Sequence, residues 1–78
     1  MSTKIPIIKV KVFEKLLILL GFEIKHQSGS HVFYRHPDGR YTTLPHHGNQ
    51  DIGRSLSRQI LREIDITPEE FIELLNKI

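Results

Sequence analysis

The chain has 78 residues, a formal net charge of +2 and no cysteine, which excludes a disulfide framework and a thiolate metal site. Hydrophobic residues make up 38% and charged residues 26%, a balance too apolar for a disordered chain and too charged for a membrane protein. The longest apolar run, Leu16 to Leu20, is too short for a membrane span or a signal peptide. We therefore expect a single cytoplasmic domain over residues 1–78.

Charge is distributed unevenly along this chain. Residues 1–62 carry ten Lys or Arg and four Asp or Glu, whereas residues 63–78 carry five acids and one Lys. A basic body favours an anionic ligand such as nucleic acid, which an acidic end would repel.

The first predicted helix runs from about Lys9 to Leu20. Gly21 stands where a C-cap glycine is expected, but no Ser, Thr, Asp or Asn marks the start of the helix. The apolar residues have the spacing of one helix face: Val12, Phe13, Leu16, Leu17 and Leu20. Ile18 falls in the polar stripe, which indicates either a partner surface or a single exposed apolar residue of the common kind.

Three strands are predicted next. Phe22 to His26 alternates, with Phe22 and Ile24 on one half-buried face. Ser30 to His36 is the second strand, and Arg40 to Leu44 is the third. The turn signal Pro37-Asp38-Gly39 separates the last two, so the strands form an antiparallel meander.

Alternation divides the second strand into two faces. One face carries His31, Phe33 and Arg35, and the other carries Val32, Tyr34 and His36. Both faces bear an aromatic residue, so the pattern does not decide which is buried. We expect three aromatic residues to belong to the core rather than to stack on bases: Phe33, Tyr34 and Tyr41.

Two further helices follow the strands. Asp51 is the predicted N-cap of the first of them. Its apolar face consists of Ile52, Leu56, Ile60, Leu61 and Ile64. The last helix is predicted to start at Thr67 and Pro68, which two acids follow. Its apolar stripe consists of Phe71, Leu74, Leu75 and Ile78. The chain is thus predicted to be α+β.

Arg54, Arg58 and Arg62 recur every four residues and form one stripe of the second helix, roughly opposite its apolar face. This arginine stripe is either a solvated face or a ridge of guanidinium groups that binds phosphates or an acidic partner. The sequence leaves both interpretations open.

His31 is the strongest candidate for chemistry. It follows Ser28-Gly29 at the start of a strand, where a side chain is held rigidly and a glycine lets a substrate backbone come close. An imidazole has an ordinary pKa of about 6.5 and therefore exchanges protons near neutral pH. From the residues alone, a turn histidine that bonds its own loop also fits.

The other histidines carry weaker signals. His26 and His36 are possible second acid or base groups, but the simpler interpretation of each is a satisfied strand residue. His46 and His47 adjoin each other on a loop, but such pairs rarely complete a metal site without a suitably spaced carboxylate or thiolate. We therefore predict no metal and no other cofactor.

Short motifs recur in a fixed order along nearly the whole chain: Leu20-Gly21-Phe22, Gly29-Ser30-His31, His36-Pro37-Asp38-Gly39-Arg40, Leu44-Pro45 with His47, Ile60-Leu61 and Glu70-Phe71. In this order they resemble the HicA family of toxins from toxin–antitoxin pairs. The resemblance implies a fold like the double-stranded-RNA-binding domain, α-β-β-β-α with a three-stranded antiparallel sheet, here with an additional C-terminal helix. The chain departs from many members at Ser55-Leu56-Ser57, where they have Gly-Thr-Leu.

The resemblance also implies an activity: ribosome-independent cleavage of messenger RNA by an endoribonuclease whose active site a HicB antitoxin covers. The family's catalytic histidine carries over onto His31, as a general acid or base that needs no metal because RNA supplies its own nucleophile. The expected RNA-binding groups are three backbone amides and three cations: Ser28, Gly29, Ser30, Lys25, Arg35 and Arg40. The alternatives are a non-catalytic RNA-binding module and an interaction domain that uses Ile18 and the arginine stripe.

Overall fold

The computed structural model describes residues 4–45 and 49–78. Its helices are α1 (Val10–Leu19), α2 (Arg54–Glu63) and α3 (Pro68–Leu75). The main sheet is antiparallel, in the order β2 (Glu23–Ser28), β3 (His31–Arg35) and β4 (Tyr41–Pro45). A short antiparallel pair joins β1 (Ile8–Lys9) to β5 (Asp51–Ile52). The predicted α+β order, α-β-β-β-α followed by a C-terminal helix, is confirmed. No helix in this described part of the chain is long and apolar enough to cross a membrane.

The start of α2 differs from the prediction. Asp51 is not an N-cap: it lies in β5 opposite Lys9, whose Nζ is 3.1 Å from the Asp51 carboxylate, and Gly53 occupies the cap position. The same strand pair fixes the start of α1, because the N–H of Val10 donates to the carbonyl of Gln50 at 2.9 Å. This bond satisfies a backbone donor at a helix start that has no side-chain cap.

Two predicted helix ends are confirmed, the end of α1 at Gly21 and the start of α3 at Thr67. Gly21, just after α1, has a φ of +97°, and a Cβ there would lie 3.1 Å from Nε2 of His36. At the start of α3, the N–H of Glu70 donates to the hydroxyl of Thr67 at 3.1 Å, and the N–H of Thr67 donates to the Glu70 carboxylate at 3.0 Å. Together these two bonds form a capping box. The Thr67 N–H also lowers the pKa of Glu70.

In the core, α1 and α2 pack against β4 of the main sheet, and α3 packs against α2. Phe13 of α1 stacks on Phe71 of α3, with ring centroids 5.2 Å apart. Alternate residues of two strands complete the core: Val32, Tyr34, Thr42 and Leu44. The opposite side of the sheet, which bears His31, Phe33 and Arg35, faces outward, and we call it the open face.

Burial corrects two predictions about apolar residues. Ile24 was expected on a half-buried face but is 55% exposed, because β2 is an edge strand of the main sheet and is exposed along its whole length. Tyr34 belongs to the core as expected, whereas Phe33 is only partly buried and Tyr41 is 64% exposed. Phe33 and Tyr41 are not core residues because their strand positions place them on the open face.

Candidate active site

His31 is the first residue of β3 and is exposed on the open face. It pairs with Ser28 of β2 and with Pro45 of β4, so it lies in the central strand of the main sheet. The turn that precedes it has Gly29 at a φ of +58°, which suits the first position of a tight hairpin turn. A Cβ at that position would have no heavy atom within 4 Å, so the turn is open to an approaching chain.

His31 also lines a cleft of about 280 Å³ where β4 meets α2, which we call the His31 cleft. The other side chains around it come from β4 and α2: Thr43, Pro45, Leu56, Gln59, Ile60 and Glu63. The cleft thus brings an imidazole, a hydroxyl, an amide and a carboxylate together beside apolar groups. Such a mixture can hold a polar substrate and transfer protons to and from it.

Glu63 is the one carboxylate among the described residues that line this cleft. Its Oε1 accepts a hydrogen bond of 2.7 Å from the hydroxyl of Thr42, a residue that is only 1% exposed. The sequence did not single out Glu63, because it lies far from His31 along the chain and belongs to the acidic C-terminal segment.

The predicted RNA-binding residues fall into separate groups. Ser28, Gly29 and Ser30 adjoin His31 in the hairpin. Arg35 lies at the other end of β3 on the same face, about 13 Å from His31 at 3.3 Å per residue. Lys25 occupies an irregularity of β2 between Ile24 and His26, and its Nζ is 3.5 Å from the Glu23 carboxylate.

The side chain of Arg40 makes hydrogen bonds within the fold. Its Nε donates to the carboxylate of Asp38 at 2.8 Å, and its Nη1 donates to the carbonyl of Ile64 at the end of α2. The guanidinium also lies 5.3 Å from the centre of the Phe22 ring. The Arg40 backbone N–H lowers the pKa of Asp38, and its side chain adds to that effect. A contact between Arg40 and RNA stays a prediction.

The remaining histidines differ in their surroundings. His36 is a satisfied structural residue as expected: its Nε2 lies 3.1 Å from the carbonyl oxygen of Leu20, and its Nδ1 accepts the N–H of Asp38 at 3.1 Å. His26 packs against Phe33 with ring centroids 5.2 Å apart. His46 and His47 lie outside the described residues. Within residues 4–45 and 49–78, no group of three or more His, Cys, Asp or Glu side chains is placed to hold a metal ion.

The arginine stripe lies on the side of α2 away from the His31 cleft. The Nε of Arg54 donates to the carbonyl of Ile5 at 2.7 Å and so ties α2 to the N-terminal segment. Arg58 and Arg62 flank a smaller groove of about 170 Å³, whose apolar residues are Ile5, Leu61, Ile66 and Pro68. Ile18 is exposed as predicted, and its part in partner binding stays open.

Comparison with known proteins gives one family. The family model described as the HicA toxin of bacterial toxin–antitoxin matches residues 10–66, which include α1, the whole main sheet and α2. Among curated proteins, no match is found. Because the match covers most of the chain and every element around His31, the chain belongs to the HicA toxin family and is the toxin of a toxin–antitoxin system.

Proposed function

We propose that this toxin is a metal-independent endoribonuclease that cleaves messenger RNA in the cytoplasm and uses His31 as a general acid or base. The observation that carries the proposal is the exposure of His31 at the His31 cleft, directly after the open Gly29 turn. The family supports the toxin role. The protein partner that inhibits it is proposed to be a HicB-type antitoxin that covers this cleft.

The chemistry follows from the structure of RNA. The 2′-hydroxyl attacks the neighbouring phosphorus, a new P–O2′ bond forms, and the P–O5′ bond breaks to leave a cyclic phosphate and a 5′-hydroxyl. One group must take the proton of the 2′-hydroxyl, and another must protonate the leaving oxygen. Each positioned acid or base typically contributes about 10² to 10⁴ in rate, so these two groups account for much of a modest ribonuclease's activity.

We assign the second proton-transfer role to Glu63. An ionised carboxylate accepts the proton of the 2′-hydroxyl, and a protonated His31 supplies one to the leaving oxygen. Both side chains line the same cleft, and the Thr42 hydroxyl holds one carboxylate oxygen, which leaves the other for the substrate.

Phosphate binding is proposed for the groups that surround His31. The backbone amides of Ser28, Gly29 and Ser30 adjoin it, and Lys25 and Arg35 are exposed cations of the same sheet. Such contacts neutralise phosphates and position the strand, but they carry no sequence information by themselves. Arg40, from its bound position beside Asp38, is expected to contribute positive potential rather than a direct contact.

The test is cleavage of a long single-stranded RNA in EDTA by the wild type, His31→Ala and Ile18→Ala. Ile18→Ala is the control, because Ile18 is exposed on α1 and does not line the His31 cleft. We expect His31→Ala to lose at least about 100-fold in rate while Ile18→Ala keeps nearly all of it. Cleavage by folded His31→Ala at the wild-type rate would overturn the proposal. If no variant cuts but all bind RNA with strong salt dependence, the chain is an RNA-binding module instead.

A further inference from the structure

The open face of the main sheet carries aromatic side chains next to His31. Phe33, two residues after His31, is only partly buried and packs against the exposed His26, with ring centroids 5.2 Å apart. Tyr41 is 64% exposed and pairs across the strands with Arg35. The outer face of an antiparallel sheet is commonly polar, and here it carries one partly buried ring, Phe33, and one exposed ring, Tyr41.

The strand register arranges these residues in three parallel rows. The rows run across β2, β3 and β4: Ser28, His31 and Pro45; then His26, Phe33 and Thr43; then Glu23, Arg35 and Tyr41. Successive rows are about 7 Å apart, because residues two positions apart on a strand share a face. A ligand that extends along β3 from His31 therefore meets a ring pair first and then Arg35 with Tyr41, in a row that also holds the Glu23 carboxylate.

Alternating rings and cations match one class of ligand. Flat aromatic faces stack on bases, and a guanidinium neutralises the phosphate between two bases. Bases inside a duplex are already stacked on each other and cannot reach such a surface, whereas those of a single strand can. At the edge of β2, the Nζ of Lys25 lies 3.5 Å from the Glu23 carboxylate and offsets its charge, which leaves the Arg35 cation for the phosphate.

We propose that the open face is a stacking platform for single-stranded RNA, and this inference rests on the proposed function. Phe33, supported by His26, stacks on the base beside the phosphate that is cut at His31. Tyr41 stacks on the following base, and Arg35 binds the phosphate between them. Phe33 and Tyr41 are thus positioning residues that select unpaired RNA.

Binding is measured with a short 2′-O-methyl RNA labelled with fluorescein, which lacks the attacking hydroxyl and stays uncut in the presence of the wild type. The variants are Phe33→Leu, which keeps apolar area but loses the ring, and Tyr41→Ala, at a site that is 64% exposed. Phe33→Trp and Tyr41→Phe keep a ring and serve as conservative variants. Ile18→Ala is the matched control, since Ile18 is an exposed apolar residue of α1.

We expect Phe33→Leu and Tyr41→Ala each to weaken binding of the single strand about 5- to 100-fold, the effect of losing one stacked base. The ring-keeping variants and Ile18→Ala should stay within about twofold of the wild type, and affinity for the same sequence as a duplex should change little. Unchanged single-strand affinity in both ring-losing variants would overturn the proposal. So would equal losses for duplex and single strand.

The partner protein provides a further comparison. If Phe33→Leu and Tyr41→Ala weaken only the complex with the antitoxin and leave RNA affinity unchanged, the rings are a protein-binding surface and the proposal is wrong. The cleavage assay with His31→Ala stays independent of this experiment, because the binding probe cannot be cut. Failure of the catalytic assignment and failure of the platform are therefore distinguishable.

Discussion

The hydroxyl of Thr42 donates a hydrogen bond of 2.7 Å to the carboxylate of Glu63, and this bond joins β4 to α2 beside the His31 cleft. Thr42 is buried and its strand neighbour Thr43 lines the cleft, so the bond fixes a carboxylate relative to the strand that pairs with His31. A side chain held in this way loses little freedom when a substrate binds.

Glu63→Gln tests whether this carboxylate transfers protons. The amide oxygen still accepts the Thr42 bond, so we expect the free energy of unfolding to change by less than about 1 kcal/mol. The rate of RNA cleavage should fall by about 10² to 10⁴. The readouts are kcat and urea unfolding.

Thr42→Val is the control for that result, because it removes the donor but keeps the carboxylate. We expect Thr42→Val to lower the free energy of unfolding by about 1.5 to 3 kcal/mol, the range for a hydrogen bond to a charged group. Its loss of kcat should be much smaller than that of Glu63→Gln. If both variants lower kcat equally, Glu63 is a structural residue.

Arg40 is expected to matter more for stability than for RNA binding. Its guanidinium bonds Asp38 and the carbonyl of Ile64, so Arg40→Ala leaves a helix-end carbonyl unsatisfied. We expect Arg40→Ala to lower the free energy of unfolding in urea by about 2 to 4 kcal/mol.

Arg35→Ala is the matched comparison on the open face. Its free energy of unfolding should change by less than about 0.5 kcal/mol. The slope of log affinity for RNA against log salt concentration should become less steep by about 0.7. The reverse pattern would contradict these assignments.

Local signals allowed much of the fold to be predicted. The capping box at Thr67 and the glycine after α1 satisfy backbone groups within a few residues, so sequence spacing contains all the information that they need. The prediction of Asp51 as an N-cap was wrong. Aspartate is a common N-cap residue, but this one pairs with Lys9, which lies 42 positions earlier in the chain. A two-residue strand pair has too little pattern to be seen in a sequence.

Only part of the candidate site could be predicted from the sequence, because the rest depends on contacts between residues far apart in the chain. His31 follows a turn glycine, which is a local feature, and the turn predicted the place of the histidine. Alternation along β3 defines two faces but does not tell which of them is buried. That depends on the side of the sheet on which α1 packs. Glu63 joins the cleft only through the packing of α2 on β4, so no spacing rule could bring it to His31.

Asp65→Gly should stabilise the protein. Asp65 follows α2 with a φ of +59°, and the N–H of Ile66 donates to the carbonyl of Leu61 at 3.0 Å in the pattern of a helix end that favours glycine. An acid at this position also opposes the helix dipole. We expect Asp65→Gly to gain about 1 kcal/mol in thermal or urea unfolding and Asp65→Asn, which removes only the charge, to gain about half of that. A loss of stability in Asp65→Gly would show that the carboxylate has a stabilising role.

Tyr34 should make stability fall at alkaline pH. Burial, followed by the nearby charge of Glu14 and a hydrogen bond to it, raises the pKa of Tyr34 to about 12 from 10.0. Between these two pH values the folded protein keeps a proton that the unfolded chain has released, so the free energy of unfolding should decrease by about 1.4 kcal/mol per pH unit. Below pH 10 this contribution is fully present and constant. Urea unfolding of the wild type and Tyr34→Phe between pH 9 and 12 measures the effect: the variant should lack this part of the slope, and parallel curves would show that another group is responsible.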